Sequence, residues 1–421
     1  TSSIFVEGRS ILDNVMVASE IIHYMKCKHQ GQTGTVALKI DISKAFDRVS
    51  WSYIHALLLK LGFHAQWALW MRMCYASPTF HVMVNGEGVG PISPERGLRQ
   101  GDPLSPYLYI LCAEGLSSLL RTAEARGDLH GAKICRGAPQ VSHLLFADDC
   151  FLFCKATERE CTTLRTILQQ YESASGQAIN LQKSEIYYSK NTTTRTRTSI
   201  NAILGVHECI GTGKYLGLPS MVGRNKKAVF SYVKDRIWKK INHWTGKHLS
   251  KAGRETLIKA VAQAIPSYCM STFLLPTSLE DEIQRMLNSF WWGSNHHTGR
   301  GIKWLSWDKL TMRKEYGGMG FRHLHGFNLA MLGKQGWNLQ SNPDALFTRI
   351  FKARYFPQGD FLGARLGHNP SFIWRSIHAS QVLVRQGARW CIGNGSSINI
   401  WKDPWLRNSH SSYVTSTALV Q

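Results

Sequence analysis

The stretch HLLFADDCFLF, residues 143–153, sets two carboxylates, Asp148 and Asp149, side by side within a run that otherwise reads as the core of a sheet. Burying an unpaired carboxylate is costly or forces it to take up a proton. Leu144, Leu145 and Phe146 on one side and Phe151, Leu152 and Phe153 on the other leave no room for an ordinary surface loop. Two readings survive: a tight hairpin turn at the solvent end of a sheet, or a cation site.

Outward from that hairpin, strands and helices alternate. TVALKIDIS (35–43) alternates and then turns apolar, reading as a strand that delivers Asp41 to a sheet edge. Residues 52–63 and 67–75 read as helices, 80–86 as a strand, and 101–125 as a long helix whose prolines fall in its first turn. Residues 158–176 read as a helix closed by Gly176, and 183–189 as a further strand. The order β–α–α–β–α–β–β–α–β suits an α+β sandwich of the split βαβ kind.

Beyond it the character changes. Residues 191–198 read as a polar connector and 214–220 as a short strand-turn. Helix 226–244 places Val229, Val233, Ile237, Ile241 and Trp244 on one stripe, with Lys226, Lys227, Lys234, Arg236, Lys239 and Lys240 over much of the rest. A second helix is expected at 253–270. From about residue 290 the chain is rich in Trp and Gly, with short helices and a hairpin expected at 388–405.

Composition narrows the function classes. The 421 residues suffice for two or three domains, and 43% hydrophobic content allows a substantial core. No charged-then-apolar leader opens the chain, and its first residue, Thr1, suggests part of a longer protein. The most apolar long stretch, 260–276, is too short and interrupted to span a bilayer, so no membrane partner is expected. Ten cysteines without a C-x-x-C pair fit neither a zinc ribbon nor a disulfide framework, and reduced thiols in an intracellular compartment, nucleus or cytoplasm, are the default. His296, His297, His323 and His325 lack cysteines at ligand spacing and read as ordinary histidines. The net charge of +22 is uneven: residues 1–190 hold 19 Lys and Arg against 17 Asp and Glu, whereas 191–421 hold 31 against 11. That asymmetry points to a polyanion held by the C-terminal half, most simply nucleic acid; a solvated basic face is the bland alternative.

Adjacent residues of an extended strand face opposite ways, so only one acid of the pair is expected to point squarely at Asp41. Asp148 is expected as the main partner, with Asp149 secondary. Converging carboxylates repel unless a hard cation neutralises them, and Mg²⁺ takes carboxylate oxygens together with substrate phosphates. Two such ions about 4 Å apart would clamp the attacking and leaving oxygens of a phosphoryl displacement.

LKIDISKAFDRVSW (38–51), RGLRQGDPLSPYLYILCAEGL (96–116) and LLFADDCFLF (144–153), in this order and spacing, resemble the reverse transcriptase domain of plant LINE-type (non-LTR) retrotransposons. SASGQAINLQKSEI (173–186) and KYLGLPS (214–220) are similar to two later motifs of the same domain, and the likeness continues through 251–266, 290–293, 315–324 and 400–405. The resemblance implies an RNA-directed DNA polymerase that extends a primer 3′-OH with deoxynucleoside triphosphates on an RNA template, using two Mg²⁺ ions, with Mn²⁺ as a substitute. It implies a right-hand polymerase fold: a palm with partial fingers over 1–190, a primer-grip hairpin and basic helical thumb over 191–290, and a Trp/Gly-rich region over 291–421.

Site residues follow from the same resemblance. Asp41, Asp148 and Asp149 match the metal-binding triad, with the Ile42 carbonyl facing the second ion. Phe46 matches a bulky ring beneath the incoming sugar, which leaves no volume for a 2′-OH; a plain core aromatic is its alternative. Gln100 and Gly101 match residues packed against the nascent base pair and template. Lys183 matches a lysine that protonates departing pyrophosphate, with a solvated surface lysine as the alternative. Leu216 and Gly217 match the hairpin that grips the primer, and the basic row of helix 226–244 would follow the template–primer backbone. Asp47 and Asp102 are expected in helix-end roles.

Of the region that precedes the first motif in the family, only SSIFVEGRSILDN (2–14) is present, so the finger strands that bring basic residues to the triphosphate are expected upstream of residue 1 and the activity of residues 1–421 alone is open. The competing reading is a truncated, inactive remnant that only binds nucleic acid. Oligomeric state has no signal in the sequence.

Overall fold

The computed structural model describes residues 10–209, 213–245, 247–293, 302–396, 398–401, 403–407 and 411–416. The chain forms two compact units, one of Thr1–Arg224 with Asp344–Arg354 and the other of Asn225–Pro343 with Tyr355–Gln421.

The first unit opens with α1 (Ile11–Cys27), β1 (Thr35–Ser43), α2 (Trp51–Lys60) and α3 (Ala65–Ala76). The hairpin β2 (Phe80–Val84) and β3 (Glu87–Ile92) follows, then α4 (Ser105–Ala125), β4 (His143–Phe146), β5 (Asp149–Lys155) and α5 (Glu158–Ser175). It continues through β6 (Ala178–Ile179), β7 (Glu185–Tyr188), α6 (Thr194–Leu204), β8 (His207–Glu208) and the hairpin β9 (Lys214–Tyr215) and β10 (Leu218–Pro219). The main sheet has the order β4-β5-β1-β7-β8, with β6 paired to the end of β1. Alternation sends Leu38, Ile40, Cys150, Leu152 and Ile186 to one face, where they form a single core with Leu108, Tyr109, Cys112 and Leu116 of α4 and Leu164 and Tyr171 of α5. The other face carries Lys39, Asp41, Asp149 and Phe151. Beside it α1 is tied to β4 by Asn14, whose side-chain amide donates to the Leu145 carbonyl. The segment 344–354 returns to this unit, and Arg354 pairs with the fully buried Glu20 at 2.9 Å.

Several sequence expectations need correction. The strand expected over 80–86 does not enter the main sheet; it pairs with β3 as a separate, fully exposed hairpin. Its turn is Asn85-Gly86, both at positive φ, the two-residue signal that closes a hairpin locally. The polar connector 191–198 contains the start of α6, because the Thr193 hydroxyl caps the Thr196 N–H and Ile200 and Leu204 bury their side chains. Helix α1 went unanticipated.

In the second unit α7 (Lys226–Thr245) is followed by α8 (Lys251–Thr256), a π-helical turn (Leu257–Ala262), α9 (Ser267–Met270), α10 (Thr277–Trp292), α11 (Trp307–Thr311) and α12 (Leu324–Ser341). After α13 (Leu346–Tyr355), most of which belongs to the first unit, come α14 (Phe372–Ala379) and α15 (Gln381–Gly387). The apolar stripe of α7 is Phe230, Val233, Ile237, Ile241 and Trp244, so Phe230 replaces the expected Val229; it packs on α10. The single helix expected over 253–270 is broken, since Pro266 has no N–H to continue the ladder. No strand forms among the described residues of 388–405; one bond, Trp390 N–H to the Pro404 carbonyl, joins its ends.

Candidate active site

The register of β1 against β5 places Asp41 opposite Asp149, a spacing of about 4.5–5.5 Å between Cα atoms in an antiparallel pair. Asp148 sits instead in the two-residue turn between β4 and β5, after Ala147 at φ 50°. This reverses the expected order of partners: strand pairing carries Asp149 to Asp41, and the turn residue is attached through its backbone, the Ile42 N–H donating to the Asp148 carbonyl at 3.2 Å. All three acids nevertheless gather at one sheet end.

Lys39, two residues before Asp41 on the same face, places its ammonium 3.6 Å from Asp149 Oδ1. Burial pushes the Asp149 carboxyl above the usual carboxylate range, Lys39 pulls it back, and the neighbouring Asp148 and Asp41 add to the rise. The ammonium thus pairs with the carboxylate that the other two acids crowd. The oxygens of the three acids are the hard donors that suit Mg²⁺ or Mn²⁺, although among the described residues no group of three or more His, Cys, Asp or Glu side chains is arranged to hold a metal ion.

A cavity of about 460 Å³ is lined by Ile42, Lys44, Phe46, Gln100, Gly101, Ser105 and Asp148, so four expected site residues border one space with the acidic turn. Two backbone bonds hold its rim: Gly97 N–H donates to the Val49 carbonyl and Leu98 N–H to the Phe46 carbonyl. A side chain at Gly97 would meet the Asp47 carbonyl at 2.5 Å, and its φ of 90° also favours glycine. Gln100 donates to Asp47 across this rim, and Asp102 accepts from Leu104 N–H just before α4 begins. Both aspartates therefore have local structural partners.

Tyr109 was legible only as one more apolar stripe residue of the long helix. Its ring stacks on Phe46 with centroids 4.4 Å apart and planes at 14°, and its hydroxyl donates to the Ala147 carbonyl at 3.0 Å. Lys183 lies exposed in the turn 180–184, which is tied to Asp41 at both ends: Asn180 N–H donates to the Asp41 carbonyl, and Ser184 Oγ accepts from the Asp41 N–H. Leu216 and Gly217 form the positive-φ turn between β9 and β10. Tyr215 anchors that hairpin edge-on to Phe151, centroids 4.7 Å apart, two residues along from Asp149.

The basic helix belongs to the second unit. Lys227 and Lys234 both pair with Glu282, which they hold down at about 2, and Lys226 lies over the Phe372 ring at 4.6 Å. Arg236, Lys239 and Lys240 are exposed. His325 pairs with Glu280 and His323 caps α12, ordinary roles for both; His296 and His297 lie outside the described residues. The ten cysteines are free. No helix among the described residues is long and apolar enough to cross a membrane.

Comparison with known proteins identifies the family. Residues 1–219 match the family described as reverse transcriptase (RNA-dependent DNA polymerase). An uncharacterized mitochondrial protein of Arabidopsis thaliana is 38% identical over 144 residues, covering 34% of this chain and 93% of that protein. The transposon TX1 149 kDa protein of Xenopus laevis is 27% identical over 315 residues, 71% of this chain and 22% of that protein. A Pol polyprotein from the type-1 retrotransposable element R2 of Popillia japonica is 29% identical over 181 residues, 42% of this chain and 24% of that protein. The chain therefore spans less than a quarter of these two long relatives. The family works on a nucleic-acid template and uses divalent metal ions, and the mixed α+β fold agrees with it. The chain belongs to the reverse transcriptase (RNA-dependent DNA polymerase) family, as a domain of the LINE-type, non-LTR retrotransposon kind.

Proposed function

We propose that this chain adds deoxynucleotides to a primer 3′-OH on an RNA template, at the sheet end where Asp41, Asp148 and Asp149 meet. The observation that carries the reading is the cross-strand register of Asp41 and Asp149, with Asp148 in the adjoining turn beside the cavity that Phe46 lines. The three carboxylates and the Ile42 carbonyl would hold two Mg²⁺ ions, which when bound supply charge neutralisation to the entering and departing oxygens. The chain's own groups do the remainder. Phe46 sets the depth of the sugar pocket and excludes a 2′-OH; Gln100 and Gly101 border the base pair. Lys183 donates a proton to the departing pyrophosphate, and the Leu216–Gly217 turn grips the primer.

In this reading residues 1–190 are palm with partial fingers, 191–290 primer grip and thumb, and 291–421 a Trp/Gly-rich extension. Arg236, Lys239 and Lys240 follow the nucleic-acid backbone, and no membrane is involved. The test is extension of oligo(dT) on poly(rA) with Mg²⁺ by the chain and by its Asp148→Asn variant. Extension lost in the variant supports the reading. Tight primer–template binding without extension by the unaltered chain would favour a binding-only remnant instead.

A further inference from the structure

We infer that Tyr109 is a positioning residue that fixes the acidic turn and the sugar-facing ring relative to each other; this rests on the polymerase reading of the site. Tyr109 is 1% exposed and lies on α4, outside both strands of the acidic hairpin. Its hydroxyl donates to the Ala147 carbonyl at 3.0 Å, and Ala147 holds a φ of 50°, a conformation that a side chain disfavours. The bond therefore supports the strained residue directly before Asp148. The same ring stacks on Phe46 at 4.4 Å and 14°. Phe46 also rests against the core of this unit and its carbonyl accepts from Leu98 N–H at 2.9 Å, and within that packing the Tyr109 face is the aromatic surface stacked on its ring. One rigid side chain thus touches the acid-bearing turn through its oxygen and the selectivity ring through its face.

These two contacts separate by mutation. Tyr109→Phe keeps the stack and deletes the hydroxyl, leaving the Ala147 carbonyl without that donor. Tyr109→Leu deletes both. Nucleotide addition by Tyr109→Phe is expected to slow about tenfold or more for deoxy- and ribonucleotide alike, because a displaced catalytic group costs rate steeply. Its deoxy-over-ribo preference is expected to stay within about twofold of the unaltered chain. Tyr109→Leu should lose rate and, in addition, about tenfold of that preference. Hydrogen exchange provides a readout without nucleotide: amides across 143–153 should exchange faster in Tyr109→Phe than in the unaltered chain, while those of α7 and α10 do not.

Unaltered rate and exchange in Tyr109→Phe would overturn the role. So would equal preference in Tyr109→Leu and the unaltered chain, since mere loss of folded protein lowers both substrates in proportion. If the unaltered chain adds no nucleotide yet Tyr109→Phe loosens 143–153, the polymerase reading fails while the tie between Tyr109 and the turn stands.

Discussion

Asp41 pairs across the sheet with Asp149, and Lys39 on the same face reaches the same carboxylate at 3.6 Å. The end of β1 therefore carries its own counter-charge. An ammonium held this way offsets part of the repulsion among three carboxylates, which burial at Asp149 would otherwise sharpen. If the three acids hold Mg²⁺ as proposed, the ammonium and the ions compete for Asp149.

Lys39→Met should expose that balance. Without magnesium the variant is expected to be less stable by about 1 kcal/mol at neutral pH, the scale of a partly exposed ion pair. Added Mg²⁺ should then raise its melting temperature more than that of the unaltered chain, since the ions bind the folded state alone and face one fewer positive charge. Equal magnesium-induced shifts in the two proteins would show that Lys39 and the ions do not compete for the same carboxylates.

Phe46→Val should raise ribonucleotide incorporation relative to deoxynucleotide by about tenfold or more, because a smaller side chain opens volume in the cavity it lines. The comparison is kcat/KM for the two nucleotides on one primer–template. Unchanged discrimination with continuing polymerisation would make Phe46 a core ring serving Tyr109 only.

The acidic hairpin and its partner strand were legible because apolar alternation flanks both sets of acids, and that pattern survives folding unchanged. Which acid faces Asp41 was not legible. Periodicity gives the face of a residue within its own strand, but the cross-strand register depends on where the turn falls, and here Ala147 and Asp148 form it. Tyr109 was hidden by the same periodicity that revealed the helix, since position 109 falls on the buried stripe with 105, 108, 112 and 116. Nothing in the spacing marks one stripe residue as touching a distant turn. The pairing of Lys227 and Lys234 with Glu282 was equally invisible, because Glu282 lies 48 residues beyond Lys234. A strand over 80–86 was legible, but not that its partner is β3; alternation within one strand says nothing about which strand it pairs with.

Acid stability should depend on His143. Its ring is buried between Ser117 Oγ at 2.9 Å and Ser142 Oγ at 3.0 Å, and burial pulls its pKa from 6.5 to about 3. The folded chain keeps the ring neutral where the unfolded chain takes up a proton, so stability is whole above pH 6.5 and falls as pH drops towards 3. The slope contributed by this one group approaches about 1.4 kcal/mol per pH unit inside that window. His143→Asn should lower stability at pH 7 but flatten the decline between pH 6.5 and 3. A parallel decline in both proteins would mean that the ring is protonated in the fold.

The charged face of α7 offers a sharper test than net charge, because the fold gives its cations different surroundings. Lys227 and Lys234 are bound to Glu282, whereas Arg236, Lys239 and Lys240 are exposed. A cation that neutralises a phosphate releases a counterion, and each such contact steepens the dependence of log K on log salt by about 1. Replacing Arg236, Lys239 and Lys240 with Gln should weaken primer–template binding and flatten the salt dependence by as much as about 3. Replacing Lys227 and Lys234 should leave the slope nearly unaltered while lowering thermal stability slightly, as Glu282 loses both partners. Titrations from low to moderate salt on one RNA–DNA duplex distinguish the sets. Equal slopes for the unaltered chain and the Arg236, Lys239 and Lys240 variant would make this face solvated surface and move the polyanion site elsewhere in residues 191–421.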